Sequence, residues 1–523
     1  MMKRLLLAGM FLVFFLFALA PPLCLLGGAF FPEGKFTFES YRTVLLSERQ
    51  VDLLWHSVVV GALTTLLACA IGIPVGVILS RLRFRGDGIL RFFYLVPVML
   101  PTYVIGIAWT DHLTFYGLWG IVFLLGLSYW PIVALFTEKG LRSVGGDLED
   151  AARLMAPPAR VFSTVTFRLA MPSILTGGLF VFVFAVSDFS IPDLLSFTSS
   201  TSYQVFSSEV FYRWDKLRRA GEAAAASLPL VILCLGALCL ILHLEGRTRR
   251  TSLSGRFKPP EIKRARIRHL PLVAFMIAAV CASVIVPFVT FYLWLGRSGG
   301  PGEMAAILGR SLSDTGGDAA NSVLSAMVAA FLMASVGFFL AYMIERSDGW
   351  KRWAINFLVL LPLTFPAVMV GVSEIRFWNH PWNPLSDLVY DRSPMLVLTY
   401  FARFIPIAVL SLRSSLGQID TSLEEASLVS GRGFLFTVKR ILLPLSWRGF
   451  WVAFLLGYIL SMRELDTIAV VGAGNDTLPF RIYSQIHTSR DVIIAAHCIV
   501  LMMTLLVPPL IYRLLVRGRV KIV

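Results

Sequence analysis

The residues of this sequence that could take part in chemistry are acidic and basic side chains within long apolar stretches. Asp188 and Glu464 lie near the ends of two such stretches, with Asp466 close to the second, and Arg403 and Arg463 could neutralise them. A charge in an apolar surrounding is costly, which predicts that these side chains line a polar path. A group of acids tolerates a cation better than a bare anion. The alternative is ordinary interfacial charges, with Arg463 extending to the polar boundary.

No residue pattern predicts catalysis, a cofactor or a metal site. The seven histidines have no metal-ligand spacing, and the six cysteines include no CxxC pair. The phosphate-binding pattern GxxxxGK[ST] is missing, because Gly34-Lys35 is followed by Phe36. We therefore expect that the chain is not an enzyme, binds no cofactor, and receives any energy from ATP through a partner.

Two polar segments interrupt the apolar sequence, LEDAARLMA at 148–156 and LEEASLVSG at 423–431, and the second repeats the first after 275 residues. Acidic residues at the start of a helix suit its dipole, and the small residues permit close approach by another surface. One such segment alone could be an amphipathic helix in a membrane interface. Two segments at matching places favour docking of another molecule.

The elements that position these residues are membrane spans. Of the 523 residues, 57% are hydrophobic and 15% are charged, whereas soluble domains average about 45–50% and about 25%. The sequence therefore predicts an all-α polytopic membrane protein. Its net charge of +15 does not indicate nucleic-acid binding, because the basic residues are spread over short loops rather than clustered on one face.

Runs of about 20 apolar residues predict about twelve spans. The first is expected to be a retained helix rather than a cleaved signal peptide, because Pro21-Pro22 stands where a cleavage site would need small residues. The predicted spans are 5–27, 55–80, 89–110, 118–137, 173–196, 223–243, 270–295, 320–344, 354–374, 394–412, 447–470 and 491–515.

Basic residues predict the orientation. With the N-terminus inside, the inner segments hold 32 of the 47 lysines and arginines, as the positive-inside rule requires. We therefore expect both termini in the cytoplasm. The largest basic cluster, Arg247 to Arg268, is expected to be a solvated linker held near anionic lipid headgroups.

The two halves of the sequence repeat each other. At an offset of 265 residues, Ser57 pairs with Ser322, Gly72 with Gly337, and Arg81 with Arg346. The predicted organisation is a first half at 1–250, a basic linker at 251–269 and a second half at 270–523. Six spans in each half predict a parallel repeat, with a pathway between the halves.

Paired prolines mark the third and ninth predicted spans. Pro97 and Pro101 correspond to Pro362 and Pro366 at the same offset. Proline removes a backbone hydrogen bond and kinks a helix. The kinks could be structural only; the functional interpretation is that these spans bend to open the pathway.

The sequence resembles a known family at the two polar segments. Glu425-Ala-Ser-x-x-x-Gly431, with Leu443-Pro444 further on, resembles the E-A-A-x-x-x-G…L-P signature of ABC importer permeases, and 150–156 is a less complete copy. The run Pro97 to Trp109, with Ser187-Asp-Phe189, resembles fused twelve-span permeases of the ferric-iron and thiamine type. The residues that the resemblance implies in ATPase coupling are Glu149, Asp150, Ala151, Ala152, Ala156, Glu424, Glu425, Ala426, Ser427, Gly431 and Pro444.

The resemblance implies a permease of an inner-membrane ABC importer, which works by alternating access. Its partners would be two copies of a cytoplasmic ATPase, seated on helices near 147–160 and 421–435, and a periplasmic solute-binding protein. The departures at Asp150 and Ala156 predict weaker coupling in the first half. A major-facilitator-type secondary transporter is the alternative. Ferric iron is the favoured solute over thiamine, phosphonate, polyamine or an inorganic anion.

Overall fold

A computed structural model of the chain describes residues 2–31, 36–38, 41–42, 44, 48–198, 203–217, 220–250, 258, 260–381, 383–390, 392–472, 476–486 and 491–517. These residues are overwhelmingly helical, and the predicted all-α membrane fold is confirmed. The described strands are two residues long, β1 (Leu82–Arg83) and β2 (Lys263–Arg264), and they pair in parallel. Helices dominate because a chain in lipid must satisfy its backbone hydrogen bonds within each span.

Within the described residues, ten helices are long and apolar enough to cross a membrane, or twelve if each of two bent helix pairs counts as one span. The helices up to residue 296 are α1 (Met2–Gly28), α2 (Glu48–Arg81), α3 (Asp87–Met99), α4 (Thr102–Trp109), α5 (Gly117–Ser143), α6 (Gly146–Arg153), α7 (Pro158–Ser187), α8 (Ser190–Thr198), α9 (Phe206–Asp215), α10 (Ala220–Arg250) and α11 (Leu270–Gly296). Those after it are α12 (Pro301–Asp314), α13 (Gly316–Glu345), α14 (Gly349–Thr364), α15 (Ala367–Trp378), α16 (Ser386–Val389), α17 (Ser393–Leu416), α18 (Ser422–Val429), α19 (Phe434–Met462), α20 (Ile468–Val471), α21 (Leu478–Gln485) and α22 (Asp491–Arg517).

The chain forms two compact units. The first-repeat unit comprises Val51–Ser208 and Leu233–Trp294, and the second-repeat unit comprises Met1–Gln50, Glu209–Ile232 and Leu295–Val523. These units divide the chain differently from the halves of the sequence repeat, since each takes in the first span of the other half. The predicted division of the chain into halves at 1–250 and 270–523 concerns the sequence repeat, and it stays a prediction.

In the first-repeat unit, α5 packs against α2 and α7. A Cβ atom added at Gly76 of α2 would lie 2.7 Å from the Ala134 carbonyl oxygen of α5, so only glycine permits this approach. Helix α11 packs against the same unit through polar contacts. The Trp109 indole donates to the Ala282 carbonyl at 3.1 Å, and the Trp294 indole donates to Asp111 at 2.7 Å.

In the second-repeat unit, α13 packs against α17 and α19. Gly457 of α19 meets the Cα atom of Ala330 closely, because an added Cβ would lie 3.3 Å away. Helix α1 joins this unit through Phe17, whose ring centroid is 5.7 Å from that of Trp378 and 6.4 Å from that of Phe401. The first span of each sequence half thus stabilises the unit built by the other half.

The repeat recurs in irregular backbone. The π-helical turn Phe162–Thr166 in α7 has a counterpart at Val438–Leu442 in α19, and Phe15–Leu19 in α1 has one at Cys281–Ile285 in α11. A π-helical turn leaves backbone groups shifted by one residue and is uncommon. Its recurrence at equivalent places shows that the repeat extends to local geometry.

The third and ninth predicted spans are broken rather than kinked. Helices α3 and α4 meet at 95°, and α14 and α15 meet at 97°. Pro101 and Pro366 are the N-cap residues of α4 and α15, both with extended ψ angles. Proline suits a helix start because it has no N–H to leave unsatisfied.

Two predicted spans are misplaced by the same error. The sequence predicted spans at 173–196 and 447–470, whereas the helices run Pro158–Ser187 and Phe434–Met462. Each predicted range continued through a helix end, because hydropathy does not detect where the backbone turns within an apolar run. The residues that turn it are Asp188 and Glu464.

Candidate functional site

The first polar segment forms helix α6, which follows α5 after a two-residue turn. Asp147 and Glu149 lie in its first turn, where the N-terminal end of the helix dipole favours negative charge. Glu149 is turned inward and buried, whereas Asp150 is exposed. The helix therefore attaches to the protein through one acid and presents the next.

An ion pair attaches α6 to the end of α2. The Arg81 guanidinium contacts both carboxylate oxygens of Glu149, with Nη1 donating to Oε2 at 3.1 Å. Thr166 of α7 donates to Oε1 of Glu149 at 2.9 Å, and Arg81 also donates to the Leu141 carbonyl of α5 at 3.3 Å. This group joins four helices at one end of the first-repeat unit.

The second polar segment repeats this attachment in its own unit. Nε of Arg346, at the end of α13, donates to Glu424 of α18 at 2.6 Å, and the Tyr342 hydroxyl donates to the same carboxylate at 2.8 Å. Arg346 also donates to the Ile419 carbonyl at 3.0 Å. Sequence reasoning paired Arg81 with Arg346 in the repeat but gave neither a role. The sequence feature that could have predicted these ion pairs is an arginine that recurs in both halves together with a recurring acid.

Both short helices expose apolar side chains at their ends. Leu154 and Met155 after α6 are 85% and 90% exposed, and Leu428 and Val429 at the end of α18 are 61% and 89% exposed. Ala151, Glu425 and Ala426 are exposed as well, whereas Ala152 and Ala156 are half-buried. A rigidly attached helix with an exposed apolar tip has the form of a docking surface.

The two helices end differently. Gly431 has φ +73°, its N–H donates to the Leu428 carbonyl, and the next N–H donates to the Ser427 carbonyl at 3.1 Å. This is a Schellman C-cap, which requires a left-handed residue. Ser427 is buried against Thr437, with 2.8 Å between the hydroxyl oxygens. At the first helix Ala156 stands at the corresponding place, and Pro157 caps the next turn.

Pro444 lies directly after the π-helical turn Val438–Leu442, at the start of the regular part of α19. It has no N–H to donate, so it suits a place where the hydrogen-bond register shifts. Pro97 and Pro362 lie in the last turns of α3 and α14, before the two breaks.

Asp188 lies at the end of α7 and is buried, with 3% of its surface exposed. Its carboxylate accepts hydrogen bonds from the Ile191 N–H at 3.1 Å, Thr102 at 3.0 Å, Tyr129 at 3.1 Å and Ser190 at 3.2 Å. It thereby caps the start of α8. Since Thr102 is the first residue of α4, Asp188 also joins this turn to the break before α4.

Glu464 has the equivalent capping role at the end of α19. Its carboxylate accepts from the N–H and the hydroxyl of Thr467, both at 3.0 Å, before α20 begins. Nε of Arg403 lies 3.2 Å from the carboxylate, so this acid has a cation beside it as well as a hydroxyl donor. Asp466 is buried and Arg463 half-buried nearby. The predicted acidic group formed by Asp188 and Glu464 together stays a prediction, because the two acids belong to different units.

Sequence reasoning missed Glu374, which is fully buried in α15. The Trp378 indole donates to its Oε2 at 2.8 Å, and its Oε1 has no hydrogen-bond partner among the described residues. The sequence feature that could have identified Glu374 is the presence of an acidic residue within a predicted membrane span. In the part of the chain that the structure describes, no three acidic, histidine or cysteine side chains are placed to hold a metal ion.

Comparison with known proteins finds that this chain is similar to transport permeases. Residues 72–250 match the model of the family "Binding-protein-dependent transport system inner membrane component". The putative ferric transport system permease protein FbpB 1 of Haemophilus influenzae is 24% identical over 90% of this chain and 78% of its own length. The Fe(3+)-transport system permease protein FbpB 2 of the same organism is 24% identical over 88% of this chain and 89% of its own.

A shorter relative shows how the repeat is built. The molybdate/tungstate transport system permease protein WtpB of Pyrococcus furiosus is 26% identical over 42% of this chain, yet 88% of its own length is covered. One half of this chain is therefore similar to nearly a whole permease. These relatives are transport permeases rather than enzymes, and the resemblance found in the sequence is confirmed.

Proposed function

From the premise that this chain is an inner-membrane permease of a binding-protein-dependent importer, we propose that it is driven by two copies of a cytoplasmic ABC ATPase and imports ferric iron. The observation that carries the proposal is the repeated arginine–glutamate pair, Arg81 with Glu149 and Arg346 with Glu424. Each pair fixes a short helix to the end of a long span. Force applied to the short helix is thus passed to the span.

One ATPase subunit would dock on each of α6 and α18. The exposed tips Leu154–Met155 and Leu428–Val429 supply apolar area, and the exposed acid Glu425 supplies charge on α18. The ATPase is a separate protein, because this sequence has no phosphate-binding loop. This arrangement requires α6, α18 and both termini to be cytoplasmic, in keeping with the basic residues of the inner segments.

Closure of the two ATPase subunits around bound nucleotide would move α6 and α18, which we call the first and second coupling helices. This movement would open the pathway to one side of the membrane and close it to the other. Such coupling needs rigid elements that have two arrangements. The breaks before α4 and α15 are the elements we assign to this role. Asp188 ties the first break to the end of α7, and the close approach of Gly371 in α15 to the Thr467 carbonyl, 2.9 Å from an added Cβ, ties the second to the turn at Glu464.

Ferric iron is proposed on two grounds. Two relatives that cover most of the chain are named for ferric transport. Acidic residues also stand at both equivalent turns, where they would favour a cation. The half-length relatives named for molybdate and tungstate make an oxyanion the competing solute.

The test is reconstitution of the purified permease in liposomes with a candidate ABC ATPase and a candidate periplasmic binding protein from the same organism. We expect ATP-dependent accumulation of radioactive iron when the binding protein is loaded with Fe³⁺, and none when the ATPase is omitted. Accumulation of molybdate but not iron would overturn the choice of solute. Uptake that needs no ATPase would overturn the coupling mechanism.

A further inference from the structure

The linker between the two sequence halves lies against the first coupling helix. The Gly146 N–H, at the start of α6, donates to the Lys258 carbonyl at 2.9 Å. Nζ of Lys258 lies 2.8 Å from the Asp150 carboxylate and 4.0 Å from that of Asp147. The expected solvated linker near lipid headgroups stays a prediction, and the described linker residues 258 and 261–264 are exposed. At Lys258 the linker also contacts a protein surface, because this basic residue meets the acids of α6.

A second ion pair joins the same two segments. Arg153, at the end of α6, lies 3.2 Å from Glu261 of the linker. The signs are complementary at both ends of the helix, with a basic linker residue at its start and an acidic one at its end. Lys258 lowers the pKa of Asp150, and Asp150 raises the pKa of Lys258, chiefly through their hydrogen bond.

The linker is also attached to the end of α2. Strand β2 of the linker pairs with β1, with Leu82 opposite Lys263 and Arg83 opposite Arg264. The Ala265 N–H then donates to the Arg83 carbonyl at 2.8 Å. Strand β1 directly follows Arg81, the last residue of α2. The linker therefore contacts α6 and the end of α2, the same two helices that the Arg81–Glu149 ion pair joins.

In the described part of the chain, no linker residue forms an ion pair with α18, the second coupling helix. Glu425, the counterpart of Asp150, is exposed, and no ion pair to it is formed by the described residues. Asp150 and Glu425 therefore differ in their surroundings even though the repeat makes them equivalent. One acid is engaged within the protein, and the other faces outward.

We propose that Lys258 and residues 260–265 of the linker form a strap that positions the first coupling helix, so that Asp150 acts through Lys258 rather than by contacting the ATPase. Glu425 contacts the ATPase directly. Lys258 is a positioning residue in this scheme. The strap replaces, in the first coupling helix, the orientation that the Schellman cap at Gly431 gives to the second. This inference rests on the proposed ATPase docking.

The test is a charge exchange in the full-length permease. Asp150→Lys should lower the amount of ATPase that co-purifies by about two- to fivefold, since an exposed pair is weak. Adding Lys258→Asp should restore it to the wild-type amount by re-forming the pair with reversed signs. Recovery that stays low in the double variant would show that Asp150 contacts the ATPase, and would overturn the proposal.

A second measurement does not depend on the ATPase. Lys258→Ala should increase amide hydrogen exchange across 146–153 in the isolated permease and leave 422–429 unchanged. Arg266→Ala is the matched control, because Arg266 is an exposed basic residue of the same linker that lies beyond the strap and forms no ion pair with α6 among the described residues. Unchanged exchange at 146–153 would refute the strap. If Glu425→Lys also leaves ATPase binding intact while the exchange result holds, the docking proposal fails and the strap survives.

Discussion

At the scale of single residues, the acids of this protein have two different tasks. Glu149 and Glu424 are turned inward and hold helices together, whereas Asp150 and Glu425 lie on the exposed surface. Asp188 and Glu464 end one helix and begin the next by accepting an N–H three residues later. A buried carboxylate without its partners is destabilising, so the partners decide the effect of each substitution.

Arg81→Met should destabilise the permease by about 3–5 kcal/mol, because it leaves the buried Glu149 carboxylate without its cation. Glu149→Gln is the matched variant; it retains hydrogen-bonding groups and leaves unpaired the Arg81 cation, which is 13% exposed against 5% for Glu149, so its effect should be smaller. Thermal unfolding in detergent measures both. Stability of Arg81→Met equal to that of the wild type would show that the Arg81–Glu149 pair does not hold α6 to α2.

Asp188→Asn combined with Glu464→Gln should lower iron uptake while ATPase still co-purifies, if these acids favour a cation on its path. The amide oxygens can still accept the backbone N–H bonds, so both helix starts should survive. Thr102→Val is the control, because it removes one donor to Asp188 and leaves the charge. Uptake equal to wild type in the double variant would limit both acids to capping.

At the scale of elements, short irregular pieces set the directions of the long helices. The two coupling helices, the two breaks at proline and the π-helical turns all recur at equivalent positions. A rigid span is useful for coupling only if its ends are held, and these pieces hold them. Predictions about elements therefore concern backbone conformation rather than charge.

Gly431→Ala should destabilise the turn after α18 by about 1–2 kcal/mol, because alanine at φ +73° is strained. ATPase binding should weaken with it. Ala156→Gly at the equivalent first position should have little effect on binding. Co-purification of the ATPase at rising salt compares the two, and a tolerated Gly431→Ala would show that the Schellman cap does not orient the docking surface.

Pro366→Ala should reduce uptake while leaving ATPase assembly unchanged. Alanine restores an N–H and permits α14 and α15 to approach one continuous helix, which removes the break. Pro406→Ala, within the regular helix α17, is a matched change outside the break. The ratio of uptake to bound ATPase is the measurement, and an equal ratio in both variants would argue against the break as a moving element.

At the scale of the whole molecule, each compact unit depends on a span from the other sequence half. Helix α1 belongs to the second-repeat unit and α11 to the first-repeat unit. This exchange gives a reason for the two halves to be retained in one chain. The linker that joins them then lies beside a coupling helix.

The unequal distribution of basic residues predicts the orientation of the whole molecule. Arg85→Cys should react with an impermeant thiol reagent only from the cytoplasmic side, and Glu303→Cys only from outside, in a variant without the six native cysteines. Both positions are exposed. The reverse pattern would place α6 and α18 where no ATPase can reach them.

The sequence by itself determined the membrane class, the repeat, the polar segments and the transporter family. These are properties of composition and of local spacing, which persist whatever the chain's path. Only the tertiary structure decided which acid of each polar segment is turned inward, that Asp188 and Glu464 end their helices, and that Lys258 meets Asp150. Arg81 and Glu149 are 68 residues apart and Lys258 and Asp150 are 108 apart. Pairing between residues so far apart in the sequence depends on which helices pack together, and hydropathy does not predict that packing.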